Sequence, residues 1–171
     1  MTDRAHIGTA PAPSATRIAL FTVPAILGIG FLMGRISNSG YGNDWFDALQ
    51  KPAAMPPGWL FGAAWSVLYV LLGIAIALIL AAPKSKPRDA GIALFALQLA
   101  LNFSWSPIFF GLHKAQLALS VIAAMLVLSI GAAIAFAKVR PAASLLMIPY
   151  LAWLCFATYL NFEIVALNPV S

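Results

Sequence analysis

The chain has 171 residues, of which 62% are apolar and only 9% charged, and its mean hydropathy is +0.92. Soluble domains average about half apolar and about a quarter charged residues, so a water-facing globule is excluded and the composition asks for a bilayer as solvent. The formal charge of +5 does not indicate nucleic acid, because the ten Lys and Arg are scattered between apolar runs and form no basic stripe.

In chain order, residues 1–16 are rich in Ala and Pro, show no apolar period and read as a disordered tail ahead of a membrane domain covering 17–171. A first span at 18–35 follows Arg17; it is too long for a signal-peptide core and no small-x-small cleavage site follows it. Residues 36–56 make a long first loop carrying Trp45, Phe46 and Lys51, stiffened by Pro52, Pro56 and Pro57, the last suited to a helix start. The second span, 57–82, carries Phe61, Trp65 and Tyr69 at intervals of four, hence on one helical face.

The third span, 90–112, aligns Gln98, Asn102, Trp105 and Phe109 on one face, with Ala93, Ala96, Ala100 and Ser104 on the other side. Small residues at that spacing let membrane helices approach closely, either within one bundle or across a homodimer. The fourth span, 115–137, contains one aromatic residue, Phe136, and the fifth, 142–167, aligns Tyr150, Trp153, Ala157 and Asn161. Pro107 and Pro149 each remove a backbone hydrogen bond inside a span and predict bends there. The single cysteine, Cys155, excludes an internal disulfide and reads as a small packing residue in the fifth helix.

The fold class is therefore an all-α integral membrane protein, a bundle of five transmembrane helices. Five spans place Arg4, Arg17, Lys84, Lys86, Arg88, Lys138 and Arg140 on one side and Arg35, Lys51 and Lys114 on the other. The positive-inside rule then puts the N-terminus in the cytoplasm of a bacterial cell and the long loop outside.

Trp45 and Trp59 fall near a membrane surface, where aromatic belts are usual. Trp65, Trp105 and Trp153 fall inside spans, on the faces that also carry the carboxamides. An unpaired amide is costly in hydrocarbon, so Gln98, Asn102 and Asn161 should face protein or a cavity. Convergence of the three stripes would enclose an aromatic pocket with a few polar anchors, suited to a large, flat, hydrophobic ligand. His6 and His113 combine with neither Cys155 nor a carboxylate in metal-ligand or catalytic-triad spacing. Glu163, near the end of the fifth span, is the one acidic group there, which argues against ion-coupled transport.

Three ordered motifs resemble the TspO/MBR family of translocator and tryptophan-rich sensory proteins. They are Trp45-Phe46-x-x-Leu49-x-Lys51-Pro52-x-x-x-Pro56-Pro57-x-Trp59 followed by Trp65-x-x-Leu68-Tyr69; Leu101-Asn102-x-x-Trp105-Ser106-x-x-Phe109-Phe110-Gly111; and Pro149-Tyr150-Leu151-Ala152-Trp153 through Phe156-Ala157-Thr158-Tyr159-Leu160-Asn161. The resemblance implies a five-helix bundle, commonly dimeric, that binds tetrapyrroles such as protoporphyrin IX and haem and other flat lipophiles, with a sensory, regulatory or transport role and no required cofactor. It places ligand contacts at Phe46, Pro56, Phe61, Trp65, Tyr69, Asn102, Trp105, Trp153 and Ala157; for a dimer, the small-residue face of Ala93, Ala96, Ala100 and Ser104 is the candidate seam read from the sequence. As an alternative it implies a light- and oxygen-dependent porphyrin-degrading enzyme, with Trp65 and Trp153 as the reactive indoles. The basic residue of the animal sterol-recognition pattern is missing after Tyr159, which argues against specific sterol binding. Lys51, near the expected pocket mouth, reads either as an anchor for a propionate or as a solvated loop lysine.

Overall fold

A computed structural model describes residues 14–169 of the chain. Most of the expected tail, 1–13, lies outside the described residues. Among those described there is no strand, and five helices are long and apolar enough to cross a membrane. They are α1 (Ala15–Ile36), α3 (Gly58–Leu80), α4 (Lys86–Ser106, continued by a π-helical turn, Pro107–Gly111), α5 (Ala115–Ala137) and α6 (Pro141–Leu167). A short helix, α2 (Asp44–Ala48), lies in the first loop.

Two helix starts differ from expectation for the same reason, a side-chain cap. The Ser14 hydroxyl accepts the Arg17 amide at 3.3 Å, so α1 begins at Ala15, inside the segment expected as tail. The Ser85 hydroxyl accepts the Arg88 amide at 3.4 Å and Pro87 fits the first turn, so α4 begins at Lys86 rather than at 90. The charged run Lys86 to Asp89, which reads as a link, is helical. Loop 36–56 contains a short helix not expected from the sequence: the buried Asn43 side chain accepts the Phe46 amide at 3.1 Å, starting α2, and donates to the carbonyls of Asn38 (3.1 Å) and Phe110 (3.4 Å).

The closest neighbours form a chain of contacts, α1 on α3, α3 on α6, α6 on α5 and α5 on α4; α4 meets α1 and α3 more sparsely. The end of the bundle bearing the α3–α4 and α5–α6 links is packed tightly. A Cβ at Gly73 would stand 2.7 Å from the Val23 backbone, and the Thr22 hydroxyl donates to the Gly73 carbonyl at 2.7 Å. Phe95 stacks on Phe136 at 5.8 Å, and Arg88 donates to the carbonyls of Ile79 and Leu80, both at 3.1 Å, closing the C-terminus of α3. The opposite end holds the long loop, the α4–α5 corner and the C-terminus of α6. Gln50 and Asn168 tie the loop to α6 by two hydrogen bonds of 3.0 Å, as an odd number of spans requires.

Two outward surfaces bear on the sequence expectations. Ala93, Ala96 and Ala100 are exposed on α4, and half-buried Ser104 turns its hydroxyl back to the Leu101 carbonyl at 2.8 Å. This face is therefore not an internal packing surface of the bundle. Cys155 is exposed on α6 and packs into no core, contrary to its expected role, because the inward positions of that helix are taken by Tyr150, Leu154 and Asn161.

Candidate functional site

The sparse contact between α4 and the α1–α3 pair leaves a cavity of about 740 Å³, within the range of about 300–1,000 Å³ usual for small-molecule sites. Indoles from three helices line it: Trp65 of α3, Trp105 of α4 and Trp153 of α6. Trp65 lies 5.1 Å from the Tyr69 ring and meets Trp153 edge to face at 6.5 Å; Phe61 meets Trp153 edge to face at 5.9 Å. Trp105 stacks on Phe109 at 4.9 Å with only 15° between the planes. The faces are those given by a step of about 100° per residue.

The polar groups on the wall are held by one another. The Tyr69 hydroxyl donates to Asn102 Oδ1 at 2.8 Å, and Asn102 Nδ2 donates to the Tyr150 hydroxyl at 3.1 Å. Tyr150 in turn donates to Gln98 Oε1 at 2.7 Å, which also accepts from Ser129 at 3.3 Å. Gln98, Asn102 and Asn161 are all buried, as the desolvation argument required. Gln98 does not reach the cavity; it sits deeper, among α4, α5 and α6, and its Nε2 has no partner among the described residues. Asn161 accepts from Trp105 Nε1 at 3.3 Å and donates to the Ala115 carbonyl at 3.0 Å, so it fixes the orientation of that indole. Trp153 Nε1 is buried and has no hydrogen-bond partner among the described residues. An unpaired donor of this kind is costly in a low-dielectric interior.

The loop closes one side of the chamber. Pro107 lacks an amide hydrogen, and the chain widens there into the π-helical turn, closed by the Leu112 amide on the Pro107 carbonyl at 2.9 Å. The turn presents Phe109 and Phe110 to Phe46 of α2, with ring centroids at 6.2 and 5.2 Å. Trp45 stacks on His113 at 4.7 Å, anchoring α2 to the α4–α5 corner.

Of the nine residues expected at the site, Phe46, Phe61, Trp65, Tyr69, Asn102, Trp105, Trp153 and Ala157 are brought together on the cavity wall. Pro56 is the exception: it is buried outside the wall, and its carbonyl accepts the hydroxyl of Tyr41, which does line the cavity, at 3.2 Å. Lys51 also stays off the wall. Its ammonium donates to the carbonyls of Asp47 (3.1 Å) and Leu49 (3.3 Å) and lies 4.7 Å over the Phe46 ring, so it fastens the loop. Sequence reasoning missed the share of α1, which supplies Gly30, Phe31, Gly34 and Arg35, and that of α5, which supplies Ile122 and Met125. The four-residue spacing of Gly30 and Gly34 was the available signal: a Cβ at Gly30 would overlap the Tyr69 ring. Among the described residues no group of three His, Cys, Asp or Glu side chains gathers as a metal site would require.

The model of the TspO/MBR family matches residues 21–167. The Tryptophan-rich protein TspO of Chlorobaculum tepidum is 41% identical over 126 residues, covering 73% of this chain and 80% of that protein. The protein of the same name from Archaeoglobus fulgidus is 40% identical over 148 residues, 86% of this chain and 94% of its own length. The Translocator protein of Bos taurus is 38% identical over 145 residues, 84% of this chain and 85% of its own. These names denote translocator or tryptophan-rich proteins, and none of them denotes an enzyme.

Proposed function

Because this chain belongs to the TspO/MBR family and is an integral, multi-pass membrane protein with a sensory or transport role, we propose that its aromatic chamber receives tetrapyrroles such as protoporphyrin IX and haem, and other flat lipophiles. The observation that carries this reading is the placement of Trp65, Trp105 and Trp153, from three different helices, around one cavity of about 740 Å³. Planar ligands gain dispersion and stacking contact against such rings. The Tyr69–Asn102 pair on the wall supplies the few polar contacts that fix orientation.

Titration of the purified protein with protoporphyrin IX, read on the porphyrin absorbance band, tests the proposal. Replacing Trp65 and Trp153 together by Leu should weaken binding about tenfold or more, that is by about 1.4 kcal/mol or more, with helix content retained. An unchanged affinity in the folded double variant rejects this chamber as the site.

A light- and oxygen-dependent degradation of porphyrin is the second reading. It draws on the edge-to-face contact of Trp65 and Trp153 at 6.5 Å, which would set two oxidisable indoles beside a photosensitising macrocycle. Loss of porphyrin that needs light, oxygen and Trp153, and that exceeds one porphyrin per protein, distinguishes turnover from incidental bleaching. The chain acts as a homodimer in this account, joined through Ala93, Ala96, Ala100 and Ser104 of α4, the three alanines being exposed among the described residues and so open to close approach by a second helix. Ala96→Cys on a Cys155→Ser background should then cross-link in membranes; failure to do so excludes that seam.

A further inference from the structure

Among the side chains lining the cavity, one carries a formal charge: Arg35, in the last turn of α1. Its guanidinium makes no hydrogen bond or ion pair among the described residues, where the one ion pair is Arg88 with Asp89 at the far end of the bundle. Lys51 of the long loop is committed to two loop carbonyls and the Phe46 ring, and Lys114, at the α4–α5 corner, does not line the cavity. Arg35 stands at the open rim beside exposed Asn38 and Ser39, which also line the cavity.

From the level of Gly30, where α1 touches Tyr69, to Arg35 is five residues, or about 7–8 Å along the helix axis at 1.5 Å per residue. The chamber is thus polarised: uncharged hydrogen-bonding groups at Tyr69 and Asn102 inside, aromatic walls between, and an unpaired planar cation at the rim. A guanidinium binds carboxylates through two parallel hydrogen bonds and keeps its charge at any relevant pH.

Resting on the reading of the chamber as a ligand site, we propose that Arg35 is its specificity-determining residue. It selects flat lipophiles that carry a carboxylate on one edge, and it orients them with that edge at the rim. A carboxylate of the ligand and the phosphate of an anionic lipid share this chemistry; the polarised wall favours the ligand.

The test compares protoporphyrin IX, a diacid, with its neutral dimethyl ester, in a non-ionic detergent and again in bilayer discs with and without phosphatidylglycerol. The protein should bind the diacid about tenfold more tightly than the diester, the order expected of one charge-assisted contact. Arg35→Gln should bring the ratio to within about twofold, and Arg35→Lys should restore part of it, since a point charge keeps the attraction and loses the bidentate geometry. An unchanged ratio in Arg35→Gln overturns the proposal. So does a preference abolished in the unaltered protein by phosphatidylglycerol, which would assign the guanidinium to lipid headgroups. If neither porphyrin responds to replacement of Trp65 and Trp153, the chamber itself falls and this inference with it. Tryptophan-dependent binding with an Arg35-independent acid preference removes this inference alone.

Discussion

The two ends of the bundle are built from different materials. At the end of the α3–α4 link, Leu72, Ala75, Ile79, Ala132, Ala143 and Met147 are fully enclosed, helices touch through glycine, and Arg88 closes the α3 carbonyls. At the loop end, half-buried indoles stand around open space, and the polar side chains there bond to one another or to the loop. In a bilayer, helix association draws on close packing and interhelical hydrogen bonds, because lipid tails are as apolar as the side chains. Close packing therefore fills the first end, whereas at the other an enclosed cluster of Phe46, Phe109, Phe110, Ala115 and Ala118 lies beside a retained cavity.

The contrast is broken most forcefully at Leu72, which has no exposed surface. Leu72→Ala should cost about 2–5 kcal/mol, as enclosed Leu→Ala changes do, lowering the thermal midpoint in detergent while the folded fraction keeps its porphyrin affinity. Lost affinity in the folded fraction would mean that the two ends are one mechanical unit. Gly30→Ala sharpens the boundary, since the added Cβ overlaps the Tyr69 ring and forces it away from Asn102. Overpacking of this kind costs about 1–3 kcal/mol, and here porphyrin affinity should fall along with stability. Retained affinity would show that the Tyr69–Asn102 pair does not shape the chamber.

The smallest effect is expected at Lys51. Lys51→Met removes a cation over Phe46 worth about 0.5–1 kcal/mol and should loosen the loop, seen as faster amide exchange at 44–49, with the diacid-to-diester ratio unchanged. A fall in that ratio would return the anion-binding role to the lysine.

Much of this was legible in the sequence because helical phase survives folding. The intervals Phe61–Trp65–Tyr69, Asn102–Trp105 and Trp153–Ala157 put those residues on inward faces, and the desolvation cost of an amide predicted burial of Gln98, Asn102 and Asn161. What escaped had weak local signals. α1 lends the wall two glycines, an arginine and the single ring of Phe31, which makes no aromatic stripe, and it enters the site because its pairing with α3 sets Gly30 against Tyr69. The separate fates of Pro56 and Lys51 depend on how α2 folds back through Asn43 onto the Phe110 carbonyl, a contact between residues far apart in the chain. The helix starts at Ala15 and Lys86 were marked by Ser14 and Ser85, whose caps outweigh the polar character of the residues that follow.

An experimental structure of the protein with protoporphyrin IX bound bears on all of this at once. The macrocycle should lie in van der Waals contact with Trp65, Trp105 and Trp153, with a propionate at Arg35. A porphyrin found on the outer surface of the bundle, for instance against exposed Trp59, with the chamber empty, would contradict it.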